Sequence, residues 1–261
     1  MFRLKQPAPR SCWLVGHRGA MAYAPENTMA SFLCAQKMGA EFLECDIHLT
    51  REKTCVLMHD ETVSRTTNGT GYLQDLTLDA VRALDAGSWF SPDFQGEKVP
   101  TLEELLQWAK NQTSLTGFQL GLAIELKNGQ ARASELPDLA VDQVSRAGME
   151  SRVVVVSYDQ DMLKRVKALN QRIATGILYK LPLEHPFKLA KELDADALFP
   201  RRHLLTKELI AQAHNRGIAV ATWAVDDPAE MREFLSWNVD AIATNVPDRL
   251  NEILNSKPGS P

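Results

Sequence analysis

The chain of 261 residues is 44% hydrophobic and 24% charged, which is the composition of an ordinary globular protein, and its length suits one α/β barrel. Its net charge of −4 argues against a protein that binds nucleic acid or anionic membranes nonspecifically. It has no apolar run of about 18 residues that would span a membrane, and residues 1–15 lack the layout of a signal peptide, so a cytoplasmic location is expected. Four cysteines without metal-finger spacing are expected to be reduced and mostly buried, namely Cys12, Cys34, Cys45 and Cys55.

Strand-like and helix-like segments alternate along most of the chain. Apolar runs rich in β-branched residues predict strands at residues 12–15, 42–47, 120–126, 152–156, 173–178, 197–199, 218–224 and 240–243. Helical patterns lie at residues 27–38, 101–110, 137–147, 160–169, 185–193, 206–215, 228–237 and 248–254. Asn27 is the expected cap of the first helix. Eight strands with helical crossovers favour a (β/α)₈ TIM barrel, one domain over residues 1–261, rather than an open doubly wound sheet.

A ninth apolar run, residues 55–58, follows the second strand too closely for a parallel crossover. Residues 50–54 leave room only for a turn, so the two runs are predicted to pair as an antiparallel hairpin. A turn centred on Glu52 and Lys53 would set His59 roughly opposite Asp46. The period of two places Glu44 on the same strand face as Asp46. His48 shares that face and is expected at the solvated rim, where it could also touch substrate.

Residues 60–100 interrupt the alternation. They are rich in Thr, Gly, Asp and Ser, and they lead into Thr101-Leu102-Glu103-Glu104, a capping box that predicts the start of the next helix. The segment is too short and too poor in apolar residues for an independent domain. We therefore expect an inserted cap on the carboxyl-terminal face of the barrel strands.

Two histidines and a pair of carboxylates fall near the ends of the first predicted strands, on the face where barrel enzymes place catalytic groups. His17 and Arg18 follow the first strand, Glu44 and Asp46 lie late in the second, and His59 follows the hairpin. Histidine exchanges a proton near neutral pH, paired carboxylates bind a hard cation such as Mg²⁺ or Ca²⁺, and a guanidinium matches phosphate geometry. The glycines at positions 16 and 19 are expected to let the backbone approach a ligand closely. These residues point to metal-assisted phosphodiester chemistry.

Further along the chain, Glu125 and Lys127 share one face at the end of the strand 120–126. Burying a carboxylate and an ammonium at the end of an apolar strand costs free energy unless each charge has a partner. They could be an ion pair that plugs the barrel mouth, but together with Glu44 and Asp46 a third metal ligand explains Glu125 better. Trp223, at the end of the strand 218–224, is either barrel packing or a substrate contact.

Six short motifs occur in a fixed order between about Leu14 and Pro247. They are His17-Arg18-Gly19, Pro25-Glu26-Asn27-Thr28, Glu44-x-Asp46, Leu57-Met58-His59-Asp60, Ile124-Glu125-Leu126-Lys127 and Thr222-Trp223-Ala224-Val225. Together they resemble the bacterial, cytoplasmic type of the glycerophosphodiester phosphodiesterase family. The resemblance implies an irregular, phospholipase-C-like (β/α)₈ barrel with a small insertion after the second histidine.

The resemblance also implies an activity and a set of roles. Glycerophosphodiesters such as glycerophosphocholine or glycerophosphoethanolamine would be hydrolysed to glycerol 3-phosphate and an alcohol with a divalent cation, Mg²⁺ or Ca²⁺. His17 and His59 become the acid/base pair, with His17 favoured as the base. Arg18 and Lys127 become phosphate contacts, and Trp223 a substrate contact. The implied metal ligands are Glu44, Asp46 and Glu125.

Two positions depart from the family pattern. Thr244-Asn245 stands where the family usually has Thr-Asp, and Trp223-Ala224-Val225 stands where it has Trp-Thr-Val. We expect the first departure to alter at most a contact around the site and neither to touch the site residues themselves.

Two other functions fit part of this pattern. Phospholipase D-like or sphingomyelinase D-like lipid phosphodiesterases share a His–Glu–Asp–His arrangement, but they are secreted and face lipid, and this sequence shows no signal peptide or apolar landing surface. A non-catalytic phosphoester-binding barrel would be attractive if a histidine or a ligand were missing, and none is. The expected partner is therefore a small glycerophosphodiester, and a homodimer stays open.

Overall fold

The computed structural model describes residues 11–129 and 133–256, so residues 1–10 of the segment inspected for a signal peptide lie outside it. The strands of the described part are β1 (Trp13–Gly16), β2 (Phe42–Leu49), β3 (Cys55–Leu57), β4 (Gly121–Leu126), β5 (Val153–Ser157), β6 (Ala174–Tyr179), β7 (Ala197–Pro200), β8 (Ala219–Thr222) and β9 (Ala241–Thr244). All of these except β3 run parallel, and β1 pairs with both β2 and β9, which closes an eight-stranded ring. The predicted (β/α)₈ TIM barrel is confirmed.

Helices connect the strands over most of the ring. They are α1 (Met29–Lys37), α2 (Leu78–Ala83), α3 (Leu102–Ala109), α4 (Leu136–Ala147), α5 (Gln160–Leu169), α6 (Pro186–Glu192), α7 (Lys207–His214), α8 (Pro228–Ser236) and α9 (Pro247–Asn255). All but α2 were predicted, with bounds that differ by at most two residues. No helix in the described ranges is long and apolar enough to cross a bilayer.

The helix caps confirm one prediction and correct another. The capping box at α3 forms as expected, with the Thr101 and Glu104 side chains each accepting a backbone N–H of the other residue. At α1, however, the cap is Thr28, whose hydroxyl accepts from the backbone N–H of Ser31 at 3.2 Å. Asn27 is therefore not the cap, and its side chain is available for another partner.

The amino-terminal half of the barrel is filled by large rings. Trp13 packs edge-on against Phe42 and Phe118, with ring centroids 5.3 and 5.5 Å apart. Alanines on the inner faces of β8 and β9, Ala219 and Ala241, leave room for these rings within the same buried cluster. Inner-face residues recur with the period of two along each strand. The packed rings form a floor below the carboxyl-terminal mouth.

The strand β3 pairs antiparallel with β2, as predicted, but the register differs by one residue from the expected one. Ile47 lies opposite Leu57, which centres the turn on Glu52. Met58, rather than His59, consequently lies opposite Asp46, and its N–H donates to the Asp46 carbonyl at 3.0 Å. Residues 50–54 form a five-residue connection centred on Glu52, in which Lys53 takes a left-handed conformation with φ 65°.

Residues 60–100 lie between β3 and α3 and pack against the hairpin. Their apolar side chains form a small cluster with β3, made of Val56, Met58, Val63, Leu73, Val81, Ala86 and Val99. This cluster fixes the segment to the strand that leads into His59. Polar residues of the segment are thereby held beside the barrel mouth.

The close packing of the Phe42 ring inside the barrel can be tested by substitution. A methyl group on Gly121 of β4 would lie 2.3 Å from Cε1 of the Phe42 ring. We predict that Gly121→Ala lowers the free energy of unfolding by about 1–3 kcal/mol, because overpacking a close-packed core forces side chains out of their rotamers. Urea denaturation measures this loss.

The control for this variant is its combination with Phe42→Leu, which removes the clashing ring. The double variant should be more stable than the sum of the two single losses predicts. Simple additivity would contradict the described contact.

Candidate active site at the barrel mouth

The loop after β1 makes a sharp turn that places a histidine and an arginine at the mouth. Arg18 and Gly19 have φ values of 52° and 88°, in the left-handed region. A Cβ on Gly19 would lie 2.3 Å from the Ser31 hydroxyl oxygen, and one on Gly16 would lie 2.8 Å from Cβ of Ala35. The two glycines therefore let the loop approach α1, which accounts for them by packing alone.

Asp46 lies at the centre of the polar groups at the mouth, with only 1% of its surface exposed. Its carboxylate is 3.1 Å from Arg18 Nε and 2.8 Å from Lys127 Nζ, and it accepts a hydrogen bond from Asn27 Nδ2 at 2.8 Å. Its backbone N–H donates to Asn27 Oδ1 at 3.2 Å. Burial alone would raise the pKa of Asp46, but Lys127 and Arg18 outweigh burial and hold that pKa well below its usual range. Asp46 is therefore an ionised carboxylate in a buried position.

Three carboxylates converge on one volume beside Asp46. Glu44, Asp46 and Glu125 each offer an oxygen, and these oxygens lie within 4.8 Å of one another. Burial, followed by the negative charge of Asp46, raises the pKa of Glu44 well above its usual value and that of Glu125 to about 7. Lys127 Nζ lies 2.6 Å from Glu125, and the Arg18 backbone N–H donates to Glu44 at 2.8 Å. The three predicted metal ligands are thus together, and their mutual repulsion is what a bound cation would relieve.

His17 lies on the inner side of the mouth, and its ring is positioned by a hydrogen bond to the loop after β9. Its Nδ1 is 2.7 Å from Asn245 Oδ1, and Asn245 Nδ2 donates to Asp226 at 2.6 Å. Burial and the Arg18 charge lower the pKa of His17 to about 4. The expectation that Asn245 does not touch the site residues is therefore wrong, because it contacts His17 directly.

His59 takes part in a network of ion pairs that includes two residues of the segment 60–100. Its Nδ1 lies 2.8 Å from Asp60, and Arg65 binds both Asp60 (2.6 Å) and Glu26 (2.8 Å). Glu26 in turn accepts from Arg18 at 2.8 Å. Burial lowers the pKa of His59, while Asp46 and Asp60 favour its protonated form. One chain of ion pairs thus joins the insertion, the hairpin and the loop after β1.

His48 does not lie at a solvated rim, as had been expected. It is 1% exposed, and its Nε2 lies 3.2 Å from the backbone carbonyl of His59. Because a carbonyl can only accept, Nε2 carries the proton and donates. Burial lowers the pKa of His48 to about 4. His48 therefore holds the His59 backbone rather than a ligand.

A small, open cavity lies beside the carboxylates. His17, Glu44 and Glu125 line one side of it, and Trp223 lines another. The Trp223 indole N–H donates to the Phe199 carbonyl at 3.1 Å, and its ring meets Tyr158 edge-on at 6.2 Å. The indole is thereby fixed and offers its ring, rather than its N–H, to the cavity.

Comparison with known proteins decides the family. The chain matches the model of the Glycerophosphoryl diester phosphodiesterase family over residues 17–249. The chain belongs to this family. A glycerophosphodiester phosphodiesterase of Caldanaerobacter subterraneus subsp. tengcongensis is 32% identical over 91% of this chain and 95% of its own length. One from Bacillus subtilis is 31% identical over 94% of this chain and 87% of its own.

Solved structures agree. An Oleispira antarctica phosphodiesterase in complex with the product sn-glycerol-3-phosphate has a TM-score of 0.86 and 26% identity, covering 94% of this chain and 97% of that one. A glycerophosphodiester phosphodiesterase from Agrobacterium tumefaciens has a TM-score of 0.80 and 27% identity, covering 92% and 99%. The family expected from the motifs is confirmed, and this phosphodiesterase is an enzyme rather than a non-catalytic barrel.

Sequence reasoning missed several residues of this phosphodiesterase that contact the predicted site residues. Glu26 and Asn27 were visible in the second motif, but a helix start explained them locally. Asp60 adjoins His59 in the fourth motif, whereas Arg65 carried no signal in a segment that was interpreted only as a cap. Asp226 also escaped notice, because its importance depends on its contact with Asn245.

The Arg65 network gives a prediction for this phosphodiesterase. We expect Arg65→Ala to leave the fold intact but to lower kcat by about 10-fold or more, because small misplacements of groups around a reacting centre are costly. The loss arises because Arg65 orders both Glu26, which holds Arg18, and Asp60, which holds His59. Steady-state kinetics and a thermal melt measure the two effects.

Arg82→Ala is the matched control. Arg82 belongs to the same segment but binds Glu104 and the Val99 carbonyl. Equal kinetic losses in the two variants would mean that Arg65 acts only through general stability of the segment.

Proposed function

We propose that this phosphodiesterase hydrolyses soluble glycerophosphodiesters, such as glycerophosphocholine or glycerophosphoethanolamine, to glycerol 3-phosphate and an alcohol. The observation that carries the proposal is the cluster of three carboxylates and two cations at the ends of β1, β2 and β4, beside a cavity that Glu44, Glu125 and His17 line. The two cations, Arg18 and Lys127, supply hydrogen-bond donors of the kind that a phosphodiester accepts.

We propose Glu44, Asp46 and Glu125 as the ligands of a divalent cation, Mg²⁺ or Ca²⁺, for which carboxylate oxygens are the usual donors. Acidic groups outnumber the described cations around the mouth, where Glu26, Glu44, Asp46, Asp60 and Glu125 face Arg18, Arg65 and Lys127. When all five acidic groups are ionised, this excess would repel a phosphodiester unless a cation offsets it. When bound, a divalent cation supplies positive charge that stabilises the charge developing on the phosphoryl oxygens.

The two histidines have different surroundings that suit opposite roles. His17 contacts the amide of Asn245 rather than a carboxylate, and burial and the positive charge of Arg18 favour its neutral form, so it can accept a proton. His59 is bound to the Asp60 carboxylate and keeps 35% of its side chain exposed, so it can hold a proton and deliver it. We propose His17 as the base toward the attacking hydroxyl and His59 as the acid toward the leaving alcohol. The Trp223 ring is the proposed wall against which the substrate packs.

Product release measures the proposed activity. Glycerol 3-phosphate should form from glycerophosphocholine or glycerophosphoethanolamine, EDTA should stop the reaction, and Mg²⁺ or Ca²⁺ should restore it. Faster cleavage of sphingomyelin or intact phosphatidylcholine would favour a lipid phosphodiesterase instead. Turnover that resists EDTA would contradict the cation site. Calorimetric titration of the cation without substrate should show weaker binding by Glu125→Gln.

Substitution of the histidines measures their roles. His17→Ala and His59→Ala should each lower kcat by roughly 10²–10⁴-fold, the usual contribution of a proton transfer, while the protein stays folded. His214→Ala is the control, because His214 pairs with Asp240 away from the mouth. A histidine variant that retains near wild-type turnover would remove that residue from the mechanism.

A further inference from the structure

Behind His17, a chain of hydrogen bonds runs through Asn245 to Asp226. Asn245 follows β9 and Asp226 follows β8, and a backbone hydrogen bond of 3.0 Å from Val225 to Ala243 holds the two segments side by side. His17 Nδ1 lies 2.7 Å from Asn245 Oδ1, and Asn245 Nδ2 lies 2.6 Å from Asp226 Oδ2. A side-chain amide has one accepting end and one donating end. The orientation of Asn245 therefore decides which kind of group His17 meets.

Asp226 fixes that orientation. Its Oδ1 accepts from the backbone N–H of Asn245 at 2.8 Å and from the Thr244 hydroxyl at 3.0 Å. The Thr244 hydroxyl oxygen itself accepts from the backbone N–H of Val246, which directs its proton toward Asp226. A carboxylate only accepts, so Oδ2 must face the NH₂ end of Asn245. Asn245 then has to turn its carbonyl oxygen to His17.

We propose that Asp226 and Asn245 are positioning residues that lock neutral His17 as the Nδ1–H tautomer, so that Nε2 is the atom that accepts the nucleophile's proton. A carbonyl oxygen 2.7 Å from Nδ1 can only accept, which places the ring proton on Nδ1. His17 lines the cavity while its Nδ1 edge is turned to Asn245, so Nε2 is the nitrogen left for the cavity. The inference rests on the proposed function, since it names the atom through which His17 acts as base.

The proton balance depends on this tautomer. As the oxygen of the attacking hydroxyl, that of a water molecule, bonds to phosphorus, its O–H bond breaks and the proton moves to Nε2, which leads directly to glycerol 3-phosphate. The bond from phosphorus to the leaving alcohol breaks, and that alcohol takes a proton from His59. The His17 imidazolium then donates through Nδ1 to Asn245, whose carbonyl stabilises the charge without taking the proton. In the opposite tautomer Nε2 already holds a proton and cannot accept another.

The tautomer can be read without substrate, cation or activity. Long-range ¹H–¹⁵N correlation of the histidine rings in the full chain, with the His17 signals assigned by their loss in His17→Gln, reports which ring nitrogen carries hydrogen. We expect Nδ1 of His17 to give the protonated signature and Nε2 the unprotonated one. An Nε2–H signature, or a rapidly exchanging mixture, would overturn the proposal whatever the variants do.

An isosteric substitution should invert the tautomer. In Asp226→Asn the oxygen of the new amide still accepts from the backbone N–H of Asn245 and from the Thr244 hydroxyl. The NH₂ of the new amide therefore faces the side-chain amide of Asn245. Asn245 must then flip and present its own NH₂ to His17, which moves the ring proton to Nε2. We expect the spectrum to change accordingly and kcat to fall roughly 10²-fold or more, with KM little changed.

Exchanging the two residue types tests the direction of the chain. The double variant Asp226→Asn with Asn245→Asp again places an accepting oxygen against His17 Nδ1, so it should restore the Nδ1–H signature and recover at least about 10-fold in kcat over Asp226→Asn. Asp227→Asn is the matched control, since that carboxylate caps α8 through Ala229 and Glu230 and should leave the His17 spectrum unchanged. Unchanged spectra in Asp226→Asn would overturn the proposal.

The outcomes separate the tautomer lock from the proposed function. A wild-type enzyme that cleaves no glycerophosphodiester would defeat the function while the Nδ1–H signature still supported the lock. An active enzyme whose activity depends on His17 but whose ring carries Nε2–H would defeat the lock alone.

Discussion

The burial of one ionised carboxylate, Asp46, is the constraint on which the mouth of the barrel depends. A charge with 1% exposure is stable only if charges or donors surround it. Arg18, Lys127 and Asn27 fill this requirement, and they come from the loop after β1, the end of β4 and the start of α1. Because all three converge on Asp46, the elements that carry them are fixed relative to one another. Two of these donors, Arg18 and Lys127, also bring positive charge to the mouth, where we propose that the phosphodiester binds.

The barrel supplies the precision that such an arrangement needs. Parallel pairing sets Asp46 beside Glu125, and the period of two turns both side chains inward. Below these side chains, the packed rings of Trp13 and Phe42 fill the interior of the barrel. The polar groups are therefore confined to the carboxyl-terminal mouth. Burial and the negative charge of Asp46 raise the pKa values of Glu44 and Glu125, and the proposed cation would relieve this repulsion.

The two histidines acquire different chemistry from their partners rather than from their own identity. Asp60, held by Arg65, stabilises a positive ring at His59, whereas burial and the positive charge of Arg18 favour a neutral ring at His17. Ion pairs therefore link the residues after the hairpin to the proposed acid, and the loops after β8 and β9 support the proposed base. The residues that contact the histidines can in this way decide which of the two gives a proton and which takes one in the proposed mechanism.

The sequence by itself determined the barrel, the antiparallel hairpin and the set of polar residues at the strand ends, because hydrophobic periodicity and strand parity are local properties of the chain. It could not determine the register of the hairpin, which depends on the conformation of the turn around Glu52, nor the role of Asn27, whose local signal for a helix cap gave way to a contact with Asp46. The contact between His17 and Asn245 joins residues 228 positions apart. Only closure of the ring between β1 and β9 creates it, and no local pattern encodes which loops a closed ring brings together.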